Sequence, residues 1–309
     1  MNAHRLSLAA VGSKWGRSIA RSMDTLHTGP VCAFLASARL SLWPAIVVSS
    51  LSFSYALTYD FGDALVIALN LCGISTLAFL FNDVLDHKID EANCVHRWSM
   101  KTPIDAVLLS LSAGILVVNY ALTLIYVAHG ISLLLLLTAV ISLLYSVLLK
   151  RVLILGNLVA AGLSICPGLL ILLACRCDTN VSKSTNIDIA SAFLAIGFVI
   201  FVSREIRFDE FDQVGDRLGR RLTLPMVFQR QALGTLHILL LSAAVLGLVA
   251  AVLILGHGTL IFRVSLALVA AVGLILALGV AYKSGSKTIF YKVTRVIMLL
   301  VPVLMILSV

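Results

Sequence analysis

This sequence has little acid. Asp and Glu together number 15 in 309 residues, charged residues of both signs make up 12%, and hydrophobic residues make up 60%. Ordinary soluble domains carry about twice that share of charge, so composition excludes a soluble globular protein. Cysteine is sparse too. The six present (Cys32, Cys72, Cys94, Cys166, Cys175, Cys177) have no metal-ligand spacing and sit mostly inside apolar runs, as small packing residues do. No low-complexity tract is present. No signal peptide is expected either, because the first long apolar run begins only after Arg39 and is long enough to span.

What is there is a series of apolar runs near 40–58, 63–82, 104–127, 131–149, 155–175, 188–205, 232–256, 259–282 and 288–308. Each approaches the roughly 20 residues that cross a bilayer as a helix. The expected fold is therefore all-α, a polytopic bundle of nine transmembrane helices over residues 39–309. Residues 1–38, with Arg5, Lys14, Arg17 and Arg21, form a basic segment suited to lying on an anionic cytoplasmic surface. The net charge of +8 does not indicate a nucleic-acid partner, because the basic residues stand in short loops between spans. With the N-terminus inside, nearly all Lys and Arg fall on the cytoplasmic side, and only Arg176, Lys183 and Arg263 fall on the other.

Against this scarcity of acid, one pattern occurs twice. Residues 82–90 read Asn-Asp-Val-Leu-Asp-His-Lys-Ile-Asp and residues 209–216 read Asp-Glu-Phe-Asp-Gln-Val-Gly-Asp. Asp83, Asp86 and Asp90 thus repeat the spacing of Asp209, Asp212 and Asp216. On a helix, positions i, i+3 and i+7 share a face, and Asn82 joins that face through Asp86 and Asp90 at i, i+4 and i+8. Three like charges beside an apolar span repel one another and resist desolvation, so each stripe needs a cation. Carboxylate oxygens suit Mg²⁺, whose shell phosphate oxygens and water complete. Two spans precede the first stripe and six the second, which puts both on the cytoplasmic face.

A diphosphate brings more negative charge than one metal neutralises, so basic side chains belong around such a clamp. Lys150, Arg97, Arg204 and Arg217 are the candidates, and Asn157 is placed to hydrogen-bond a substrate or cap a helix. Gly215 and Gly219 are expected to end the helix carrying the second stripe. A transporter or channel is disfavoured, because the acids gather at helix ends on one side and do not form a route across the bilayer.

These residues resemble the UbiA superfamily of intramembrane prenyltransferases. Asn82 to Asp90, followed by Asn93 and Arg97, looks like its first aspartate-rich motif, with the Asp90 to Arg97 spacing similar to the chlorophyll synthase branch. Tyr145-Ser-Val-Leu-Leu-Lys150-Arg151, Gly156-Asn157, and Ser203-Arg204-Glu205-Ile206 leading to Asp209, Asp212 and Asp216 are similar to the digeranylgeranylglyceryl phosphate synthase branch. The resemblance implies a helix bundle around a central cavity and a Mg²⁺-dependent enzyme acting on an isoprenyl diphosphate of geranyl to geranylgeranyl length. It implies that Asn82, Asp83, Asp86, Asp90, Asp209, Asp212 and Asp216 bind the metal and diphosphate. Lys150, Arg97 and Arg204 would contact diphosphate, with Tyr145 nearby. The prenyl group would pass to an aromatic or glycerol-type acceptor, or the chain would cyclise on itself as in the UbiA-type terpene cyclases. Three positions depart from the family pattern: Trp98 follows Arg97 in place of Pro, Val214 replaces an acidic residue, and Phe208 replaces a Lys. They make positions around the clamp apolar or aromatic.

Overall fold

The computed structural model describes residues 39–92, parts of 110–125, and residues 129–177, 186–283 and 286–309, nearly all of them in helices. In chain order, α1 spans Trp43–Leu57, α2 Phe61–Leu85, α3 His87–Ala92, α4 His129–Val147 and α5 Leu155–Cys177. Then follow α6 Ile187–Leu218, α7 Leu224–Val227, α8 Arg230–Ala250, α9 Leu260–Lys283 and α10 Lys287–Ser308. Among the described residues, eight helices are long and apolar enough to cross a membrane. The ninth expected span, 104–127, lies largely outside the described residues, although those described between Ser110 and Ile125 are helical. The basic segment 1–38 lies outside them altogether.

Helices that follow one another pack as neighbours. α1 lies on α2, α2 on α4, α4 on α5, α5 on α6, α6 on α8, α8 on α9, α9 on α10, and α10 returns to α1. The described spans therefore close a ring. Lipid supplies little hydrophobic drive between helices, so their contacts rely on close packing and buried polar pairs. Buried Ser50, Ser52 and Ser54 line one part of α1, and Asn70 of α2 donates to Thr123 at 2.5 Å. Gly168 of α5 lies against the Phe53 ring of α1, where a Cβ would fall 2.6 Å from the ring edge.

One helix exceeds its expected length. The apolar run predicts a span over 188–205, yet α6 continues for 32 residues to Leu218. At 1.5 Å per residue that is about 48 Å, against roughly 30 Å of hydrocarbon, so about a third of it projects from the membrane. Asp209, Asp212 and Asp216 stand on that projecting part. Gly215 does not interrupt it, and the helix ends at Gly219.

Candidate functional site at one end of the bundle

The first motif straddles a helix break. α2 ends at Leu85, and Asp86 takes the C-cap with φ −95° and ψ 5°. The Asp86 carbonyl then accepts from the N–H groups of Ile89 and Asp90, each at 2.8 Å, so α3 starts at once. Asp86 and Asp90 are buried and remain one turn apart. Asp83 has a different environment. It is 1% exposed, and its carboxylate meets the Arg39 guanidinium at 3.6 Å, with Arg39 stacked 4.1 Å above the Phe79 ring.

The second motif ends in a left-handed turn. Arg220 has φ 51°, and the Arg221 N–H returns to the Asp216 carbonyl at 2.9 Å, a Schellman-type closure. That turn brings the Arg221 guanidinium back over the site, where it lies 3.5 Å from Asp216 Oδ1 and also pairs with Asp86 Oδ1. One cation thus joins the two stripes. Gly219 allows the approach, because a Cβ there would sit 2.5 Å from Cδ1 of Ile89 on α3. Arg220 carries the left-handed conformation usually left to glycine, while Gly219 provides the space.

Further side chains converge from other helices. Lys150 lies in a 3-10 turn, Leu149–Arg151, between α4 and α5. Its ammonium donates to Asn82 Oδ1 and to Asp86 Oδ1, each at 2.7 Å. Gly156 permits α5 to start against this turn, since a Cβ there would be 3.0 Å from Lys150 Cα. The Leu222 N–H reaches the Arg151 carbonyl at 3.4 Å and ties the turn to the loop after the second motif. Asn157 donates to Asp209 Oδ2 at 2.8 Å. Lys287, the first residue of α10, pairs with Asp212.

Charge is expensive here. Burial pushes the Asp90 carboxyl up to about 6, helped by the neighbouring Asp86 charge. Burial likewise lowers the Lys150 ammonium to about 8 despite the opposing pull of Asp86. Among the described residues no three Asp, Glu, His or Cys side chains close on a single metal-sized point. Ammonium and guanidinium groups instead lie against Asp86, Asp212 and Asp216.

Behind the acids along α6 the lining becomes apolar. A partly open apolar cavity lies between α1, α5, α6 and α10. Phe53, Phe193, Phe201, Ile297 and Met298 line it, with Pro167 of α5 and Pro302 of α10 among its walls. Each proline removes a backbone hydrogen bond inside its helix, a local loosening that suits a cavity wall. Arg204 stands at the end nearer the acids. It donates to Ser164 Oγ at 3.0 Å and approaches Met298 Sδ at 3.2 Å, both cavity residues, and its guanidinium lies 4.8 Å from the Phe201 ring centroid.

The candidates read from sequence thus divide. Asn82, Asp86, Asp90, Asp209, Asp212, Asp216, Lys150 and Asn157 gather at one end of the bundle, and Tyr145 stands within electrostatic reach of Asp86 and Asp209. Asp83 faces Arg39, and Arg204 turns toward the cavity and pairs with Glu205 at 2.9 Å. Arg217 is exposed, and Arg221 four residues later holds the acids instead. Arg97 lies outside the described residues. Among the substituted family positions, Val214 is 67% exposed, away from the acids, while Phe208 packs edge-on against Phe290 at 5.4 Å. Sequence reasoning missed Arg221, Lys287 and Arg39 as site residues, because in sequence each looks like one more basic residue at a span end. The Gly219-Arg220-Arg221 run, beginning three residues after Asp216, was the available signal for the first of them.

The whole arrangement resembles known proteins. Residues 28–299 match the model of the UbiA prenyltransferase family. The apo structure of a UbiA homolog from Aeropyrum pernix K1 superposes with a TM-score of 0.58 at 18% identity, over 85% of this chain and 95% of that one. A UbiA homolog from Archaeoglobus fulgidus, bound to GPP and Mg²⁺, superposes with a TM-score of 0.56 at 11% identity, over 89% of this chain and 99% of that one. No curated protein matches the chain. With the family model matched along most of its length and the same helical bundle in both neighbours, this integral membrane protein belongs to the UbiA prenyltransferase family.

Proposed function

We propose that this protein is a Mg²⁺-dependent intramembrane enzyme that ionises an isoprenyl diphosphate and transfers the prenyl group to an acceptor. The observation that carries the proposal is the Arg221 bridge, which joins Asp86 and Asp216 of the two motifs. The Archaeoglobus homolog, bound to GPP and Mg²⁺, supports this choice of ligands. The donor set fits such a metal. Carboxylates and the Asn82 amide are hard oxygen ligands, and cationic side chains already lie against them. That no three acids among the described residues close on one point suits a metal held by one or two carboxylates and completed by phosphate.

Asn82, Asp86 and Asp90 on one side, and Asp209, Asp212 and Asp216 on the other, would hold Mg²⁺, with Asp83 behind them against Arg39. When bound, the metal supplies Lewis-acid neutralisation of the diphosphate oxygens. Lys150 and Arg221 would turn from their carboxylates to phosphate oxygens and stabilise the leaving group. The allylic C1–O bond breaks and its electron pair leaves with diphosphate. The cation formed would lie toward the apolar cavity, whose lining includes the aromatic side chains of Phe193 and Phe201. An aromatic ring, enol or glycerol-type hydroxyl then bonds to C1 and gives up a proton. Arg97, Arg204 and Arg217 remain candidates for diphosphate contact, and Tyr145 for a position beside the clamp. The site would face the cytoplasm, as would the N-terminus, by the distribution of Lys and Arg.

A second reading is cyclisation, in which the chain's own double bonds capture the cation without an acceptor. It is favoured by the cavity lining, where Ser49 and Ser164 are the polar residues among hydrocarbon and aromatic side chains. One experiment tests both readings. Purified protein is incubated with Mg²⁺ and geranyl, farnesyl or geranylgeranyl diphosphate, with and without acceptors of each class. Diphosphate release that requires an acceptor supports transfer. Release without one, with a cyclic hydrocarbon or alcohol, supports cyclisation, and no release under any condition rejects both.

A further inference from the structure

Lys287 is out of place by local rules. It opens α10, whose N-cap is Ser286, and a cation in the first turn opposes the helix dipole. Something beyond its own helix must hold it. Its ammonium pairs with Asp212 of the second motif and lies within electrostatic reach of Asp90 of the first. It therefore stands between the two acidic stripes.

The site's cations differ in how tightly they are held. The Lys150 side chain is 7% exposed and bonded to both Asn82 and Asp86, and Arg221 is 12% exposed and shared between Asp86 and Asp216. Lys287 is 42% exposed, and Asp212 at 30% is more open than Asp86 or Asp216. Exposed ion pairs are weak and exchange readily, so of these contacts Lys287–Asp212 is the one that a competing cation displaces most easily.

Resting on the function proposed above, we propose that Lys287 is a displaceable counter-ion. It occupies Asp212 while the site is empty and yields that carboxylate to the metal when metal and diphosphate arrive together. The lysine then turns to the diphosphate. Metal alone must compete with the ammonium for Asp212, whereas metal with diphosphate gives the ammonium a new anion. Divalent binding is thereby coupled to diphosphate binding.

The test is Mn²⁺ binding to the full-length protein in detergent, followed by electron paramagnetic resonance of free Mn²⁺, without diphosphate. Lys287→Met keeps the stem and removes the charge. It is expected to bind Mn²⁺ about three- to tenfold more tightly than wild type, and added inorganic diphosphate is expected to strengthen its Mn²⁺ binding less than it does in wild type. Lys287→Arg, which keeps a cation in place, is expected to bind Mn²⁺ no more tightly than wild type. Unchanged or weaker Mn²⁺ affinity in Lys287→Met would overturn the proposal, as would an equal gain in Lys287→Arg. If the Met variant does not fold, Lys287→Gln is measured in the same way with the same expectation. Since these titrations contain no isoprenyl substrate, they fail independently of the turnover assay that tests the enzyme itself.

Discussion

Lys150 and Asp86 form a buried link between the first motif and the rest of the site, with Nζ 2.7 Å from Oδ1 and both side chains less than a tenth exposed. The ammonium is held near its limit. Burial has already lowered it to about 8, so below that pH it is a cation available to phosphate, and above it the charge is lost. Diphosphate affinity and turnover are expected to fall as pH rises through 8. Lys150→Arg, whose guanidinium stays charged throughout, is expected to lose that alkaline limb. A pH series of diphosphate release on the two proteins measures it, and an unchanged alkaline limb in the Arg variant would argue against Lys150 as its source.

Asp90 makes the opposite prediction for stability. Its folded carboxyl titrates near 6, against about 3.9 in an unfolded chain, so between those values the folded state binds the extra proton. Stability from this group is therefore present below about pH 4 and lost as pH rises through 6. Metal-free protein should melt at a lower temperature at pH 7 than at pH 5, and Mg²⁺ with a diphosphate analogue should restore it. Asp90→Asn should abolish this group's share of the pH dependence, which thermal unfolding in detergent can measure.

Asp86→Ala and Asp212→Ala are expected to abolish turnover and leave the protein folded, because each removes an oxygen ligand and little core packing. The two should differ in stability. Loss of Asp86 leaves Lys150 and Arg221 buried without that partner, a change that costs about 3–5 kcal/mol when one member of a buried pair is removed. Loss of Asp212 frees a lysine that is already half in water and should cost less than about 1 kcal/mol. Wild-type rates in either variant would refute the metal-site assignment.

Gly219 tests whether the closeness of the motifs matters. Ala there meets Cδ1 and Cγ1 of the Ile89 side chain, which can shift, and the Gly215 carbonyl oxygen at an ordinary 3.4 Å, and should be tolerated. Val or Phe must push α3 from the end of α6 and open the gap bridged by Arg221. Gly219→Phe is expected to raise the Mg²⁺ concentration needed for half-maximal turnover at least tenfold, with Gly219→Ala within about threefold of wild type. Equal behaviour of the two would show that the approach at Ile89 does not set the site.

The sequence alone determined the class of the molecule and the address of its chemistry. Apolar runs of bilayer length mark the spans because a backbone in lipid must satisfy its own hydrogen bonds, a constraint that hydropathy reads locally. The acidic stripes could be read because Asp is so rare here that a repeated spacing stands out. Only tertiary structure decided which cation meets which acid. Arg217 and Arg221 read alike in sequence, and the left-handed Arg220 between them turns one back to the site and leaves the other in solvent. Asp83 shares the i, i+3 spacing of its neighbours, yet Arg39 beside α2 gives it a different partner. Arg204 faces the cavity because Ser164 and Met298 are carried there by α5 and α10. Periodicity assigns a residue to a face of its own helix, while its partner depends on what other helices bring to that face.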